Sequence, residues 1–444
     1  MGCGMWEKLD GTRVVVVGMA RSGIAAVRLL QRKGALVRAV DEKPMGEVLG
    51  VKVEPQTDAS FRDADLVVIS PGVAADLDVL ERARARGVAV IGELELSAPF
   101  LKGGNMGVTG TNGKTTTTAL VGHILKESGI ACQVGGNIGT PPAAMVETSR
   151  AGQWNVLELS SFQLETIQTF RAQIAAGLNL TQNHIDRHHT FENYVHAKGR
   201  LFETQQPGDT AVLNADDPVT VEFAGCTSAT TVWFSGSGPV SGAWLDGNVI
   251  RLQSEPLLDV RELRLRGRHN YENVMAAALM AERAGAKPAQ IAKAAATFAP
   301  VEHRLELVRE IDGVAYYNDS KATSVDATLK AIDAFSGGLW IILGGKDKNS
   351  DYTVLEAPLR AKARAALLIG TAAQKIATQV GKIGVPLLQC GTLAESVQQA
   401  HRLAKSGDTV LLAPACASFD QFESFEHRGR VFKDLVNALE EGSH

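Results

Sequence analysis

The stretch Gly107-Val108-Thr109-Gly110-Thr111-Asn112-Gly113-Lys114-Thr115-Thr116 decides how this chain folds. A short apolar run ends there in a glycine-rich turn, and Leu120, Val121, Ile124 and Leu125 then share one helical face before Gly129. A strand-turn-helix unit of this kind aims backbone N–H groups and a helix N-terminus at one point, which suits a chain of phosphates. Gly110 and Gly113 let the backbone approach closely, Lys114 meets the outer phosphates, and the Thr115 hydroxyl is a candidate Mg²⁺ ligand. Valine stands at position 108, where the usual phosphate-loop pattern has glycine, so the motif is a variant. It predicts nucleoside triphosphate binding by Gly110, Thr111, Asn112, Gly113, Lys114, Thr115 and Thr116.

The chain around it is long for one core: 444 residues predict two or three domains. An apolar content of 45% and a charged content of 21% describe an ordinary globular protein. A net charge of -4 gives no basis for binding nucleic acid or an anionic membrane surface. No apolar run reaches membrane-spanning length, and Met1 to Asp10 lacks the apolar core of a signal peptide. Cys3, Cys132, Cys226, Cys390 and Cys416 are odd in number and widely spaced, without a Cys-x-x-Cys pair. They read as reduced thiols of a cytoplasmic protein, and not as a disulfide frame or zinc site.

Upstream, apolar runs alternate with helical patterns. Val14 to Val17 reads as a strand buried on both faces, followed by the turn Gly18-Met-Ala-Arg-Ser-Gly23 and a helix to Lys33. Leu36 to Val40, Ala64 to Ser70 and Val88 to Ile91 supply further strands, with Leu77 to Arg86 helical. This predicts a doubly wound α/β domain with its ligand at the carboxyl ends of the strands. A dinucleotide site would want glycine at position 20, where Ala20 stands, although Asp41 lies where a ribose-binding acid would be. NAD, a uridine-type nucleotide or a purely structural turn all remain open, and Gly72 either admits a phosphate or makes a turn.

The middle third carries the densest chemistry. Gly135-Gly136-Asn137-Ile138-Gly139 is too rich in glycine for regular structure and reads as a loop touching ligand. Trp154 to Gln163 reads as a strand delivering Glu158, and Ile174 to Leu180 as a strand running into His184, with His188 and His189 facing solvent. A carboxylate and a histidine at the ends of successive strands are either a solvated strand-end acid and a turn histidine or, beside a phosphate loop, the ligands of a metal it holds. Lys198 follows on the helical stretch Glu192 to Glu203, and by its pattern alone is a surface residue. Aimed at a divalent ion, an ammonium would be repelled by roughly 8 kcal/mol at about 4 Å and a dielectric of 20, so it would have to be neutral or masked.

The last third repeats the α/β pattern. An alanine-rich helix, Val274 to Arg283, follows Gly267-Arg-His-Asn270, and a further domain begins near residue 301. Leu339 to Gly344, Ala366 to Gly370, Val385 to Gln389 and Thr409 to Ala413 read as its strands. Asp319-Ser-Lys321, Gly345-Lys346-Asp347-Lys348 and Ser418-Phe-Asp-Gln are caps and turns, or a site.

Taken in order, these blocks resemble the Mur ligases, the ATP-dependent amino-acid-adding enzymes of peptidoglycan precursor synthesis. The likeness rests on Gly-Thr-Asn-Gly-Lys114-Thr, Glu158-Leu-Ser-Ser-Phe-Gln-Leu-Glu, Asn179-Leu-Thr-x-x-His184-x-Asp186-Arg-His and Ala197-Lys198-x-Arg. It continues through Asn214-Ala-Asp-Asp-Pro, Asn270-x-x-Asn273, Pro300-x-x-His303-Arg304, Asp319-Ser-Lys321-Ala-Thr323 and Pro414-Ala-Cys-Ala-Ser418. The last blocks are nearest to the D-glutamate-adding member; the L-alanine-adding and folylpolyglutamate-type ligases are alternatives within the superfamily, and an NAD-dependent oxidoreductase one outside it.

The resemblance implies three α/β domains: a Rossmann-like UDP-substrate domain over 1–94, a central phosphate-loop ATPase-like domain over 95–300, and a Rossmann-like C-terminal domain over 301–444. It implies ATP bound also by Asn270, Asn273, Arg304, Asp319 and Lys321, and two Mg²⁺ held by Thr115, Glu158, His184 and Lys198, the lysine carbamylated by CO₂. It implies D-glutamate at Thr323, Lys348, Ser418 and Phe425. The uridine substrate falls to Arg21, Ser22, Asp41, Glu42, Lys43, Gly72, Asn137 and His184, with Lys114, His184 and Lys198 catalytic. The family usually has aspartate before the metal-binding histidine, and this chain has Asn183. The expected enzyme is a monomer whose partners are small molecules, and the C-terminal domain is expected to hinge near residue 300.

Overall fold

The structure is a computed structural model describing residues 8–42, 46–182, 184–265, 267–299, 302–381 and 384–440. Lys43, Asn183, Cys3 and the expected hinge at 300–301 lie outside the described residues.

Three sheets follow one another along the chain. The first holds β1 (Arg13–Val17), β2 (Leu36–Asp41), β3 (Glu47–Val48), β4 (Val51–Pro55), β5 (Leu66–Ile69) and β6 (Ala89–Gly92) in the order β3-β4-β2-β1-β5-β6. All its pairs are parallel except β3 with β4. Val14 to Val17 are at most 2% exposed because helices cover both faces. Each such side chain is worth roughly 1.5–3 kcal/mol of burial.

The second sheet comprises β7 (Gly104–Thr109), β8 (Cys132–Gly136), β9 (Trp154–Glu158), β10 (Ile174–Gly177), β11 (Thr210–Asn214), β12 (Thr230–Ser235), β13 (Gly242–Asp246), β14 (Val249–Leu252) and β15 (Glu255–Asp259). Their order is β15-β14-β13-β12-β11-β10-β7-β9-β8, antiparallel only at β13-β14-β15. Gly135 and Gly136 belong to β8, in contrast to the loop their composition suggests. They are glycine for packing: a Cβ on Gly135 would meet Met145 Sδ at 2.4 Å, and one on Gly136 would meet Glu158 O at 2.3 Å.

The third sheet holds β16 (Glu306–Ile311), β17 (Val314–Asn318), β18 (Leu339–Gly344), β19 (Ala363–Ile369), β20 (Leu387–Gly391) and β21 (Thr409–Leu412) in the order β16-β17-β21-β18-β19-β20. It is parallel apart from the β16-β17 hairpin and has a core on each face. The chain packs as two compact units: residues 1–263 with 272–298, and 264–271 with 299–444. Four cysteines, Cys132, Cys226, Cys390 and Cys416, are free thiols. Among the described residues no helix is long and apolar enough to cross a membrane.

Candidate active site

The second sheet sets β7 between β9 and β10, so three parallel strands end side by side, with Val108 opposite Glu158 and Thr109 opposite Gly177. The turn after β7 leaves through Gly110 at φ 146° and enters the helix Lys114–Glu127 through Gly113 at φ 84°. A Cβ on Gly113 would stand 2.2 Å from Asn273 Oδ1, so glycine serves there for both backbone angle and room.

Asn179 braces this turn, a role the sequence reading did not give it. Its carbonyl accepts the Thr111 N–H at 2.7 Å, its Oδ1 accepts the Asn112 N–H at 3.0 Å, and its Nδ2 donates to Asn112 O at 3.1 Å. Lys114 Nζ donates to Gly110 O at 2.9 Å and Thr111 O at 2.8 Å, which holds the ammonium over its own loop. Thr115 and Thr116 are buried at the start of the helix. Asn273 accepts the Thr117 hydroxyl at 3.3 Å, next to the same loop.

Glu158 is 2% exposed at the end of β9. Its Oε1 accepts Asn137 Nδ2 at 2.8 Å, while its Oε2 is buried without a hydrogen-bond partner. A carboxylate oxygen left so is costly, and a cation beside it would remove the cost. The donor set therefore fits a divalent ion.

Lys198 is not a surface residue. It is among the largest fully buried side chains, because Tyr194, Ala197, Lys198, Leu201 and Phe202 form the inward face of the helix Phe191–Glu203. Its Nζ donates to Gly110 O at 2.9 Å and to Thr109 Oγ1 at 3.3 Å. Burial first, and the charge of Lys114 second, push its pKa well below the ordinary lysine value; Glu158 opposes them in part.

Tyr194 ties these groups together. Its hydroxyl is 2.9 Å from Thr111 Oγ1, and its ring lies 4.9 Å from Lys198 Nζ and 6.5 Å from the His184 ring. Its position four residues before Lys198, hence on the same helical face, is the signal that would have found it. His184 is exposed, in left-handed backbone at φ 55°, with its ring edge-on to Phe162 at 4.9 Å. His189 is exposed beside Asp76, but His188 does not face solvent: it is buried, its Nε2 2.9 Å from Ser161 Oγ, because it packs between Phe162 and Tyr194.

A cavity of about 620 Å³ opens at the carboxyl ends of the first sheet. Arg21, Ser22, Asp41, Glu42, Gly72 and Asn137 all line it, together with Gln163 and Arg187, which the sequence reading missed; His184 is not among its lining residues. Asp41 Oδ2 accepts the Met19 N–H at 2.7 Å, and Arg21 Nη1 donates to Gly139 O at 3.3 Å. Arg187 pairs with Glu165 and donates to Val73 O at 2.6 Å.

In the second unit Asp319, Lys321, Thr323, Lys348 and Ser418 lie on the loops after β17, β18 and β21, three neighbouring strands, with Arg304 just before β16 and Phe425 at the start of the helix Phe425–Asn437. Burial pushes the Asp319 carboxyl up to about 7, against the charge of Arg304 and the Leu305 N–H. Lys321 Nζ sits 4.0 Å over the Phe425 ring, and Ser320 Oγ donates to Phe425 O at 2.8 Å. Lys346 and Ala417 exchange backbone hydrogen bonds at 2.9 and 3.2 Å, which joins the loop of Lys348 to that of Ser418. Lys348 is exposed, Ser418 buried and Thr323 half-buried. Asn270, buried, belongs to this unit, whereas Asn273 belongs to the first.

The chain matches the Mur ligase MurD-like N-terminal domain over residues 12–92, the Mur ligase middle domain over 108–281 and the Mur ligase glutamate ligase domain over 303–416. It is 61% identical to the UDP-N-acetylmuramoylalanine--D-glutamate ligase of Solibacter usitatus, across 98% of this chain and 99% of the relative. It is 48% identical to the ligase of the same name from Koribacter versatilis, across 97% and 98%. Among solved structures, UDP-N-acetylmuramate-alanine ligase MurC of Thermotoga maritima shares its fold, with a TM-score of 0.62 at 19% identity over 96% of this chain and 99% of that one. The chain therefore belongs to the Mur ligases, as an ATP-dependent ligase of the family that includes these D-glutamate-adding enzymes.

Proposed function

We propose that this chain joins D-glutamate to UDP-N-acetylmuramoyl-L-alanine at the expense of ATP, as a monomer in cytoplasmic peptidoglycan precursor synthesis. The observation that carries the reading is the whole-length 61% identity to the Solibacter ligase. Domains 1–94, 95–300 and 301–444 hold the uridine nucleotide, ATP and the amino acid in turn. The substrate carboxylate attacks the γ-phosphorus of ATP, ADP leaves, and an acyl phosphate results. The D-glutamate amine then adds to the acyl carbon and loses a proton, and phosphate leaves from the tetrahedral adduct.

The first step brings an anion onto a polyanion, at about 4 kcal/mol for each unit-charge pair at 4 Å and a dielectric of 20. Lys114 offsets this, on a loop whose shape Asn179 fixes by accepting the Thr111 and Asn112 N–H groups. Bound Mg²⁺ would add charge neutralisation of the phosphates, with Thr115, Glu158, His184 and carbamylated Lys198 as its ligands. The buried Lys198 amine, held below the ordinary lysine pKa, suits the modification. Its lone pair attacks the carbon of CO₂, a proton is lost to solvent, and an anionic N-carboxylate replaces the ammonium. Arg21, Ser22, Asp41, Glu42, Lys43, Gly72 and Asn137 take the uridine nucleotide, with His184 toward its reacting end. Asn270, Asn273, Arg304, Asp319 and Lys321 complete the ATP site, and Thr323, Lys348, Ser418 and Phe425 that for D-glutamate.

Acid-quenched product analysis with UDP-N-acetylmuramoyl-L-alanine, ATP, Mg²⁺ and D-glutamate tests the reading. ADP, phosphate and the glutamate-extended nucleotide should form in equal amounts, and omitting any component should stop all three. Turnover with L-alanine in place of D-glutamate, or none with either, would sink it. A mass excess of one CO₂ on the peptide containing Lys198 tests the carbamate.

A further inference from the structure

Beneath the loops of the second unit lies a charge that the reading above leaves unused. Arg428, on the helix Phe425–Asn437, is 0% exposed. Its Nε donates to Ser320 Oγ at 2.9 Å, and its Nη2 to Ser320 O at 2.9 Å and Cys416 O at 3.2 Å. Its Nη1 donates to Cys416 O at 3.2 Å and Ala417 O at 3.4 Å. Every acceptor is neutral, and the ion pairs of the described residues include none to Arg428. Burial pushes the guanidinium down to about 10. Packing alone does not explain such a group, since an apolar side chain of similar volume fills a core without the desolvation cost.

What a guanidinium supplies is a planar fork of donors at fixed spacing. Here the fork ties the loop at 320 to the loop at 416–417. Further bonds lead outward from each: Ser320 Oγ to Phe425 O, and the Ala417 backbone to Lys346. Asp347, between Lys346 and Lys348, is in turn held by Lys375 at 2.7 Å and by the Tyr352 hydroxyl at 2.8 Å. Gly345 packs against the fork, since a Cβ there would stand 3.2 Å from Arg428 Nη1. Thr323, Lys348 and Ser418 thus sit on loops, and Phe425 at a helix start, whose spacing runs through one side chain.

We propose that Arg428 is the positioning residue of the amino-acid site, fixing the spacing of the three loops that receive the dicarboxylate amino acid. This rests on the assignment of those loops to D-glutamate above. Arg428 itself touches no substrate.

The test compares wild type with Arg428→Lys, which keeps the charge but loses the fork, and with Ser320→Ala, which cuts the bond to Phe425 and survives should the first variant not fold. Initial rates are measured with D-glutamate, ATP and the uridine nucleotide varied in turn. The KM for D-glutamate should rise about tenfold in Arg428→Lys and less in Ser320→Ala; the KM for ATP should rise less than that for D-glutamate, since Asp319 and Lys321 flank Ser320, and the KM for the uridine nucleotide should stay within about twofold. A loss of kcat that only tracks the folded fraction, with all KM values unchanged, would overturn the proposal, as would an equal rise in the KM for ATP. Amide hydrogen exchange at Lys346 and Ala417, read in the same variants without substrate, should quicken. Unchanged exchange overturns the positioning claim even where the substrate assignment holds. A wild-type enzyme inert toward D-glutamate, beside variants with quickened exchange, overturns the assignment and leaves the positioning.

Discussion

Two turns of the first unit share one topology and carry opposite equipment. After β1, the chain passes through Gly18 at φ 88° into the helix Arg21–Arg32; after β7, it passes through Gly110 and Gly113 into the helix Lys114–Glu127. In the first, a carboxylate enters the turn, Asp41 taking the Met19 N–H. In the second, an ammonium enters it, Lys114 lying against Gly110 O and Thr111 O. A phosphate about 4 Å from the carboxylate would be disfavoured by roughly 4 kcal/mol at a dielectric of 20, and favoured as much by the lysine. A glycine-rich strand-to-helix turn is thus a frame, and under the proposed function the sign of the charge set in it separates the ATP turn from the uridine turn.

The largest effect that sharpens this contrast is on turnover. Lys114→Ala should lower the rate of ADP formation roughly a thousandfold, the scale of losing one preorganised charge at a reacting phosphate. Its thermal midpoint, read alongside, separates loss of the charge from loss of the fold. A variant within tenfold of wild type would break the contrast, because the second turn would then be no more a phosphate site than the first.

Next come the glycines, by thermal or denaturant unfolding. A Cβ at position 23 would stand 1.8 Å from Gly18 O, a backbone atom that cannot swing aside. Gly23→Ala should cost about 3 kcal/mol or more. At Gly113 the nearest atom is the tip of the Asn273 side chain, and the strain is the left-handed φ. Gly113→Ala should cost about 1–2 kcal/mol. The reverse order would mean that the first turn yields and the second is the tighter frame.

Residue types announced both frames before any coordinates. β-branched runs ending in glycine gave the strands and turns, since glycine punctuates where other residues cannot go. The environment of single polar side chains was less legible. Lys198 reads as surface because helical spacing reports a face without saying what packs on it, and its amine lies under the phosphate loop. Gly135 and Gly136 read as loop because glycine is poor in strands; here they admit Met145 and the Glu158 backbone to an edge strand. Asn179 acts through its backbone carbonyl as much as its amide, and a carbonyl carries no residue-type signal.

Two buried acids of the first unit carry the contrast from turns to carboxylates. Glu93 and Glu158 each have one bonded oxygen and one orphaned. Away from the loop, burial pushes the Glu93 carboxyl up to about 8. Its folded pKa exceeds the unfolded one, so its contribution is complete below about pH 4.5 and is lost as pH rises through about 8. Glu93→Gln keeps an acceptor for the Ala143 N–H and should flatten that loss. It should be more stable than wild type by up to about 5 kcal/mol at high pH, with no difference in the Mg²⁺ dependence of turnover. Parallel unfolding curves against pH would show that Glu93 does not titrate in that window.

The smallest effect asks whether the acid of the first turn braces the backbone or reads a ligand. Asp41→Asn retains an acceptor for the Met19 N–H and removes the charge facing the cavity. If the carboxylate receives a hydrogen bond from the nucleoside, the KM for the uridine nucleotide should rise about tenfold, the range for a bond to a charged group, with the KM for ATP unmoved. If it serves only the turn, removing a negative charge near the diphosphate should lower that KM. The direction of the change decides whether the two turns differ in the ligand they read or merely in how they are held.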